Sequence, residues 1–253
     1  MKKVKVSIIS YLNTAPFEYG LKHSDIIDYI DLKYDTPANC ATRLMNKDAD
    51  IGIVPAAIIP LISGKKIISN YCIGASGAVR SVAICSNYPL LAVKNLYLDC
   101  ESRTSVLLAQ LLMENYWKVD ATPINLNSLC EIDPQKENSA YVLIGDKVFE
   151  YEKKFEYHFD LAEAWQNHTG LPFVFAAWTS TTTLSKDFIS DFNSALSYGL
   201  ENIPKAIDEH QYVIDRKEAI KYLTQNIDYN LNYAKCKALI EFWNMAKKSK
   251  YRS

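Results

Sequence analysis

Short aliphatic and β-branched runs recur along the chain at residues 4–9 (VKVSII), 51–54 (IGIV), 82–85 (VAIC), 96–98 (LYL), 141–144 (YVLI) and 173–176 (FVFA). Such runs read as strands buried on both faces. Between them lie segments with helical spacing. Residues 37–47 place Ala41, Leu44 and Met45 on one face, and residues 102–117 form a strongly apolar helix. The alternation predicts mostly parallel sheets joined by crossover helices. Beyond Ser185 the pattern is helical only: residues 187–203, a short helix near Pro204, residues 216–227 and residues 231–248. The last carries Phe242 and Trp243 and is expected to pack on its own lobe.

No internal repeat and no Gly/Ser- or Pro-rich tether divides the chain, so two lobes would be joined by ordered crossovers. These are expected at residues 85–89 and 173–178. Residues 1–87 plus 178–253 then make a first, discontinuous lobe with the C-terminal helices, and residues 88–177 make a second, inserted lobe. The predicted fold class is α/β: two-lobed, with mostly parallel sheets, helices on both faces and a helical C-terminus.

Composition narrows the function. Lys plus Arg (28) nearly cancels Asp plus Glu (29), so no global field draws in a polyanion, and nucleic acid is not an expected partner. The apolar run after the N-terminal lysines is too short for a signal-peptide core. No stretch approaches the roughly 20 apolar residues that span a bilayer. A soluble, cytoplasmic protein without membrane contact is expected. Cys40, Cys72, Cys85, Cys100, Cys130 and Cys236 form no C-x-x-C pair, and the four histidines lack ligand-type partners at helical spacing. The cysteines read as reduced, mostly buried thiols, and no metal site is expected.

Candidate chemistry lies where strands end and helices begin, because free helix amides collect there and the dipole favours negative charge. Four such places carry hydroxyl, amide or glycine clusters. After the first strand, Ser10, Tyr11, Asn13 and Thr14 precede Pro16; Asn13 and Thr14 serve either to cap a helix or to face a cleft. Before the strand at 82–85, Ser76, Gly77, Arg80 and Ser81 allow close backbone approach and a bidentate carboxylate contact, or form a plain turn with a solvated arginine. Between residues 98 and 106, Ser102, Arg103, Thr104 and Ser105 make a carboxylate cradle or a simple cap, with Asp99 orienting the loop. Gly145 and Asp146 end another strand; Asp146 either caps the next helix or faces the cleft. Trp178 adds aromatic bulk that is either core or cleft wall.

Taken in order, SYLNTAPF (10–17), DIGIVP (50–55), SGAVRSVAICS (76–86), LDCESRTS (98–105), IGD (144–146), and DLAEAW and TGLPFVFAAW within 160–178 resemble the chorismate dehydratases of the futalosine route to menaquinone. The resemblance spans the chain. It implies a fold similar to the type II periplasmic binding proteins, and an enzyme that removes water from chorismate to give 3-(1-carboxyvinyloxy)benzoate. The sibling enzyme that makes 1,4-dihydroxy-6-naphthoate shares the fold but begins with a different first loop. A non-catalytic carboxylate-binding module on the same scaffold is the alternative of another class.

For that reaction, Asn13 and Ser81 are the candidates for holding the ring hydroxyl and assisting its departure, and hence the expected catalytic residues. Thr104 and Ser105 are the specific choices for the ring carboxylate. Ser10, Tyr11, Thr14, Ser76, Gly77, Arg80, Ser102, Arg103, Gly145, Asp146 and Trp178 complete the expected binding set. No His lies in these segments, and no Glu except Glu101, so the substrate's own enolpyruvyl carboxylate is a candidate base. A redox-neutral dehydration driven by aromatisation implies no cofactor and no metal. A monomer or weak homodimer is expected.

Overall fold

The structure, a computed structural model, describes residues 3–99, 102–126, 128–212 and 214–251. The chain first forms β1 (Val4–Ile9), α1 (Ala15–Lys22), β2 (Ile30–Asp35), α2 (Pro37–Met45), β3 (Ile51–Pro55) and β4 (Lys66–Ala75). It continues through β5 (Val82–Ser86), β6 (Asn95–Asp99), α3 (Arg103–Leu112), β7 (Thr122–Leu126), β8 (Ser139–Ile144), α4 (Asp146–Tyr151), β9 (Tyr157–Asp160) and α5 (Leu161–Thr169). The last strand is β10 (Phe173–Ser180), followed by α6 (Lys186–Glu201), α7 (Ile203–Asp208), α8 (Arg216–Lys221) and α9 (Tyr233–Lys248). Wider π turns at Met113–Trp117 and Tyr222–Asn226 continue α3 and α8, filling out the helices expected at 102–117 and 216–227.

Two five-stranded sheets result, in the orders β2-β1-β3-β10-β4 and β7-β6-β8-β5-β9. Both are mixed. β1 runs parallel to β2 and β3, and β6 runs parallel to β7 and β8. Every antiparallel pairing of these sheets involves β10 or β5, the first strand laid down after each change of sheet. Parallel pairing therefore holds for half of the pairings and not for most.

The changes of sheet also fall earlier than the sequence suggested. β5 pairs with β8 and β9 of the second sheet, so the chain crosses within residues 76–81 and not at 85–89. It returns through α5, before β10, and not at 173–178. All eight residues of β10 are buried in the first sheet. An apolar strand shows only that it is buried, not in which sheet.

The buried stripe of α2 is Pro37, Cys40, Ala41 and Leu44, whereas Met45 is 41% exposed. Spacings of three and four residues keep the first four on one face, and Met45 lies one step beyond it. Helix α9 packs on β10 and on α3, so it braces both sheets and not one lobe alone. Phe242 is fully buried, edge-on to Phe173 and Trp165, and Trp243 Nε1 donates to the Ala56 carbonyl at 2.8 Å.

Helix α1, which carries the loop after β1, is pressed against α6. Two glycines permit this approach: a Cβ on Gly199 would overlap the Pro16 carbonyl, and one on Gly20 would overlap the Ala195 carbonyl. The obstructing atoms are backbone, so the helices must separate to admit a methyl group. Gly199→Ala is expected to lower the unfolding free energy by about 1–3 kcal/mol, read as a lower urea midpoint with an unchanged slope; an unshifted midpoint would refute the close packing.

Candidate functional site

A cavity opens between the sheets, beyond the ends of β1, β3 and β8 and at the start of β5. Asn13, Ser81, Ser102, Thr104 and Ser105 line it together, with Tyr11, Thr14 and Gly145 and an apolar remainder that includes Ile9, Ile73 and Phe175. Among the described residues the wall holds no carboxylate, imidazole or cation. Cys100 and Glu101 lie outside the described residues.

The first loop is held by its own threonine. Thr14 stands at the N-cap of α1 but makes no side-chain cap. Its hydroxyl instead contacts the Ile9 carbonyl closely and the Tyr11 carbonyl at 2.7 Å, and it accepts from the Tyr11 amide. The resulting turn, Leu12–Thr14, sets Asn13 on the cavity wall. The Tyr11 ring lies against Gly145, whose φ of 58° suits glycine, and a Cβ there would meet that ring at 3.5 Å. The Gly145 amide donates to the Ser81 carbonyl at 2.8 Å, tying the end of β8 to the start of β5.

The hydroxyls are oriented by the groups that donate to them. Ser102 is the N-cap of α3: its Oγ accepts from the Ser105 amide at 3.2 Å and donates to Ser105 Oγ at 2.8 Å. Thr104 Oγ1 accepts from the Ala57 amide at 3.1 Å, a bond from the loop after β3 to the helix beside the second sheet. Ser81 Oγ accepts from the Tyr222 hydroxyl at 2.7 Å. Each of Ser81, Thr104 and Ser105 thus accepts a protein hydrogen and keeps its own O–H to give. All three are buried. The wall is one of neutral donors at the first turn of α3 and at the chain crossing, suited to an anionic or hydroxyl-bearing ligand.

Two wall-supporting tyrosines were not anticipated from sequence. Tyr222 donates to Ser81, and the Tyr229 hydroxyl donates to the Asn13 carbonyl at 2.9 Å. Burial pushes both phenols above the usual tyrosine range, so each keeps its proton at neutral pH. They come from the C-terminal helical region, where an aromatic residue at helical spacing reads simply as core. No local signal marks them.

Seven expected binding residues do not line this cavity. Ser10 and Arg103 are exposed. Ser76 is exposed and bonds to Asp228 Oδ2 at 2.7 Å, while Gly77, with φ of 109°, makes the turn beside it. Arg80 points away: two carboxylates, Glu152 and Glu218, hold its guanidinium, which also lies 5.2 Å from the Phe149 ring centre. Asp146 begins α4 without capping it. Burial raises its carboxyl pKa, against the Leu12 amide and His210 that favour its charge. Trp178 is core, 0% exposed, between Phe17 and Phe192 on the far face of β10. Asp99 is buried and paired with Lys147, beyond the end of β8, at 2.8 Å.

One carboxylate fixes the crossing that delivers Ser81. Asp160 accepts from the Val79 and Arg80 amides at 3.2 and 2.6 Å, and caps α5 through the Ala162 and Glu163 amides at 2.9 and 3.0 Å. It thereby joins the outgoing and returning crossings, and it holds Arg80 at a φ of 65° that few non-glycine residues adopt.

This architecture is the one shared by the periplasmic binding proteins. Protein AF1704 from Archaeoglobus fulgidus is similar over 97% of each chain, with a TM-score of 0.76 and 16% identity. An ABC transporter protein from Parabacteroides distasonis is similar over 99% of this chain and 94% of its own, with a TM-score of 0.71 and 19% identity. The Candida albicans CA3427 gene product, described as having the generic periplasmic binding protein fold, gives 0.59 and 15% over 97% of this chain and 81% of its own. At these identities the likeness is one of fold. The chain itself belongs to the menaquinone biosynthesis family, whose sequence profile matches residues 4–248. Among the described residues no helix is long and apolar enough to cross a membrane.

Asp160→Asn replaces an all-acceptor group with one that must turn an N–H₂ toward amide donors. A loss of about 1–3 kcal/mol per stranded amide is expected, measured by urea unfolding; wild-type stability in this variant would remove Asp160 from its bracing role.

Proposed function

We propose that the chain is a chorismate dehydratase, a hydro-lyase that converts chorismate to 3-(1-carboxyvinyloxy)benzoate and water. The observation that carries this reading is the convergence of Asn13, Ser81, Thr104 and Ser105 on one cavity, in a chain of the menaquinone biosynthesis family. Such a wall suits a ring bearing a carboxylate and a hydroxyl.

The reaction breaks the C–H bond at the ring carbon that carries the enolpyruvyl ether. The electron pair enters the ring and delocalises through the double bond onto the ring carboxylate. The neighbouring C–O bond then breaks, hydroxide leaves with the abstracted proton as water, and the ring becomes aromatic. Donors at the carboxylate, here Thr104 and Ser105, stabilise the transition state more than the ground state because charge accumulates there as the proton departs. Asn13 and Ser81 hold the leaving hydroxyl; neutral donors assist its departure without competing for the ring proton.

The described wall offers no side chain of ordinary basic strength. The reading therefore assigns the proton to the substrate's enolpyruvyl carboxylate, brought to the ring C–H by the way the cavity positions the substrate. Redox-neutral aromatisation requires no electron acceptor.

Purified protein incubated with chorismate is expected to yield a meta-substituted benzoate by proton NMR, whereas unchanged chorismate would leave a carboxylate-binding module. Thr104→Ala is expected to lower kcat by about 100-fold with a smaller effect on KM; an unchanged rate would remove Thr104 from the carboxylate contact. The methyl ester of the side-chain carboxylate is expected to bind without reacting, and normal turnover of that ester would refute substrate-assisted proton removal.

A further inference from the structure

The Tyr222–Ser81 pair gives the cavity a direction. Ser81 is 1% exposed, and its Oγ accepts the Tyr222 hydrogen at 2.7 Å. A hydroxyl oxygen that accepts one hydrogen can still donate its own. Among the described residues no protein acceptor meets the Ser81 hydrogen, and Ser81 lines the cavity. We infer that Tyr222 is a positioning residue: by donating to Ser81 it turns the Ser81 hydroxyl hydrogen toward the cavity, where it meets the oxygen that leaves the ring. The inference rests on the dehydratase reading and deepens it, because it concerns a residue that does not line the cavity and acts only through Ser81.

Two observations agree. Tyr222 is 1% exposed and edge-on to Phe149 at 5.1 Å, so the phenol has one placement. Burial raises its pKa, and the hydrogen bonds of Ser81 and Asn13 oppose that shift only in part. A phenol so held keeps its proton and does not relay it: the water produced takes its proton from the ring carbon, and Tyr222 remains neutral throughout. Hydrogens then run from Tyr222 to Ser81 and from Ser81 into the cavity.

The π turn that begins at Tyr222 and continues α8 delivers this residue to the start of β5. A helix of the C-terminal region thereby sets the polarity of a hydroxyl at the chain crossing.

The test is steady-state kinetics with chorismate on the full-length wild type, Tyr222→Phe, Ser81→Ala and the double variant. Tyr222→Phe is expected to lower kcat about tenfold with KM little changed, and to add no further loss in the Ser81→Ala background. Replacement of Tyr222 by p-aminophenylalanine, which keeps a donor in place, is expected to restore most of kcat. Packing alone predicts a different result: equal losses in both backgrounds and no rescue by the amino group, which would overturn the inference. Full activity in Tyr222→Phe would overturn it as well. Should Tyr222→Phe not fold, the p-aminophenylalanine variant decides alone: near-wild-type turnover supports the donor role, and a loss matching Ser81→Ala overturns it. A wild type that leaves chorismate unchanged is recognised before any variant is compared, and marks failure of the dehydratase reading itself.

Discussion

Two passages of chain join the sheets, and a single carboxylate holds both. Asp160 receives the Val79 and Arg80 amides from one passage and the Ala162 and Glu163 amides from the other. Backbone amides near a chain crossing must find acceptors once water is excluded, and one carboxylate supplies four bonds where separate caps would leave the passages independent. The position of Ser81 follows from this, because it is the residue directly after Arg80. So does the place of β5, which starts at Val82 and enters the second sheet antiparallel to both neighbours.

Around that brace, the two sides of the cavity are stitched by short polar contacts. The Ala57 amide reaches Thr104, the Tyr11 ring lies on Gly145, and Trp243 of α9 holds the Ala56 carbonyl. One of these contacts, from Ala57 to Thr104, also leaves the Thr104 hydroxyl free to donate into the cavity. At Thr104 the oxygen that ties the two sides together also faces the cavity. Preorganised donors lose little in reorienting when charge develops nearby, which is how neutral hydroxyls can matter in a site whose described wall bears no charge.

The fold's outward resemblance to binding proteins does not by itself separate a carrier from an enzyme. What distinguishes this cavity is its chemistry: donors grouped at the first turn of α3 and at Asn13 and Ser81, with apolar residues such as Ile9, Ile73 and Phe175 between them. A planar ring with polar groups at its rim fits that division. Arg80 lies beside the site yet is committed to Glu152 and Glu218, so the cationic residue expected to meet a carboxylate serves the scaffold instead.

The six strands legible in the sequence, β1, β3, β5, β6, β8 and β10, are the interior strands of the two sheets, and the four that escaped notice, β2, β4, β7 and β9, are their edges. Burial on both faces makes an interior strand a continuous apolar run, whereas an edge such as IDLKYD or TPINL meets water and carries charge or proline. Local sequence likewise marked the cap at Ser102, because a cap is made by neighbours in the chain. Only the tertiary structure decided which sheet β5 and β10 join, that Trp178 is core, that Arg80 faces away, and that Tyr222 stands behind Ser81. Each of these depends on a partner far along the chain, and a one-dimensional pattern records a residue's need for burial or for a hydrogen-bond partner without recording who supplies it.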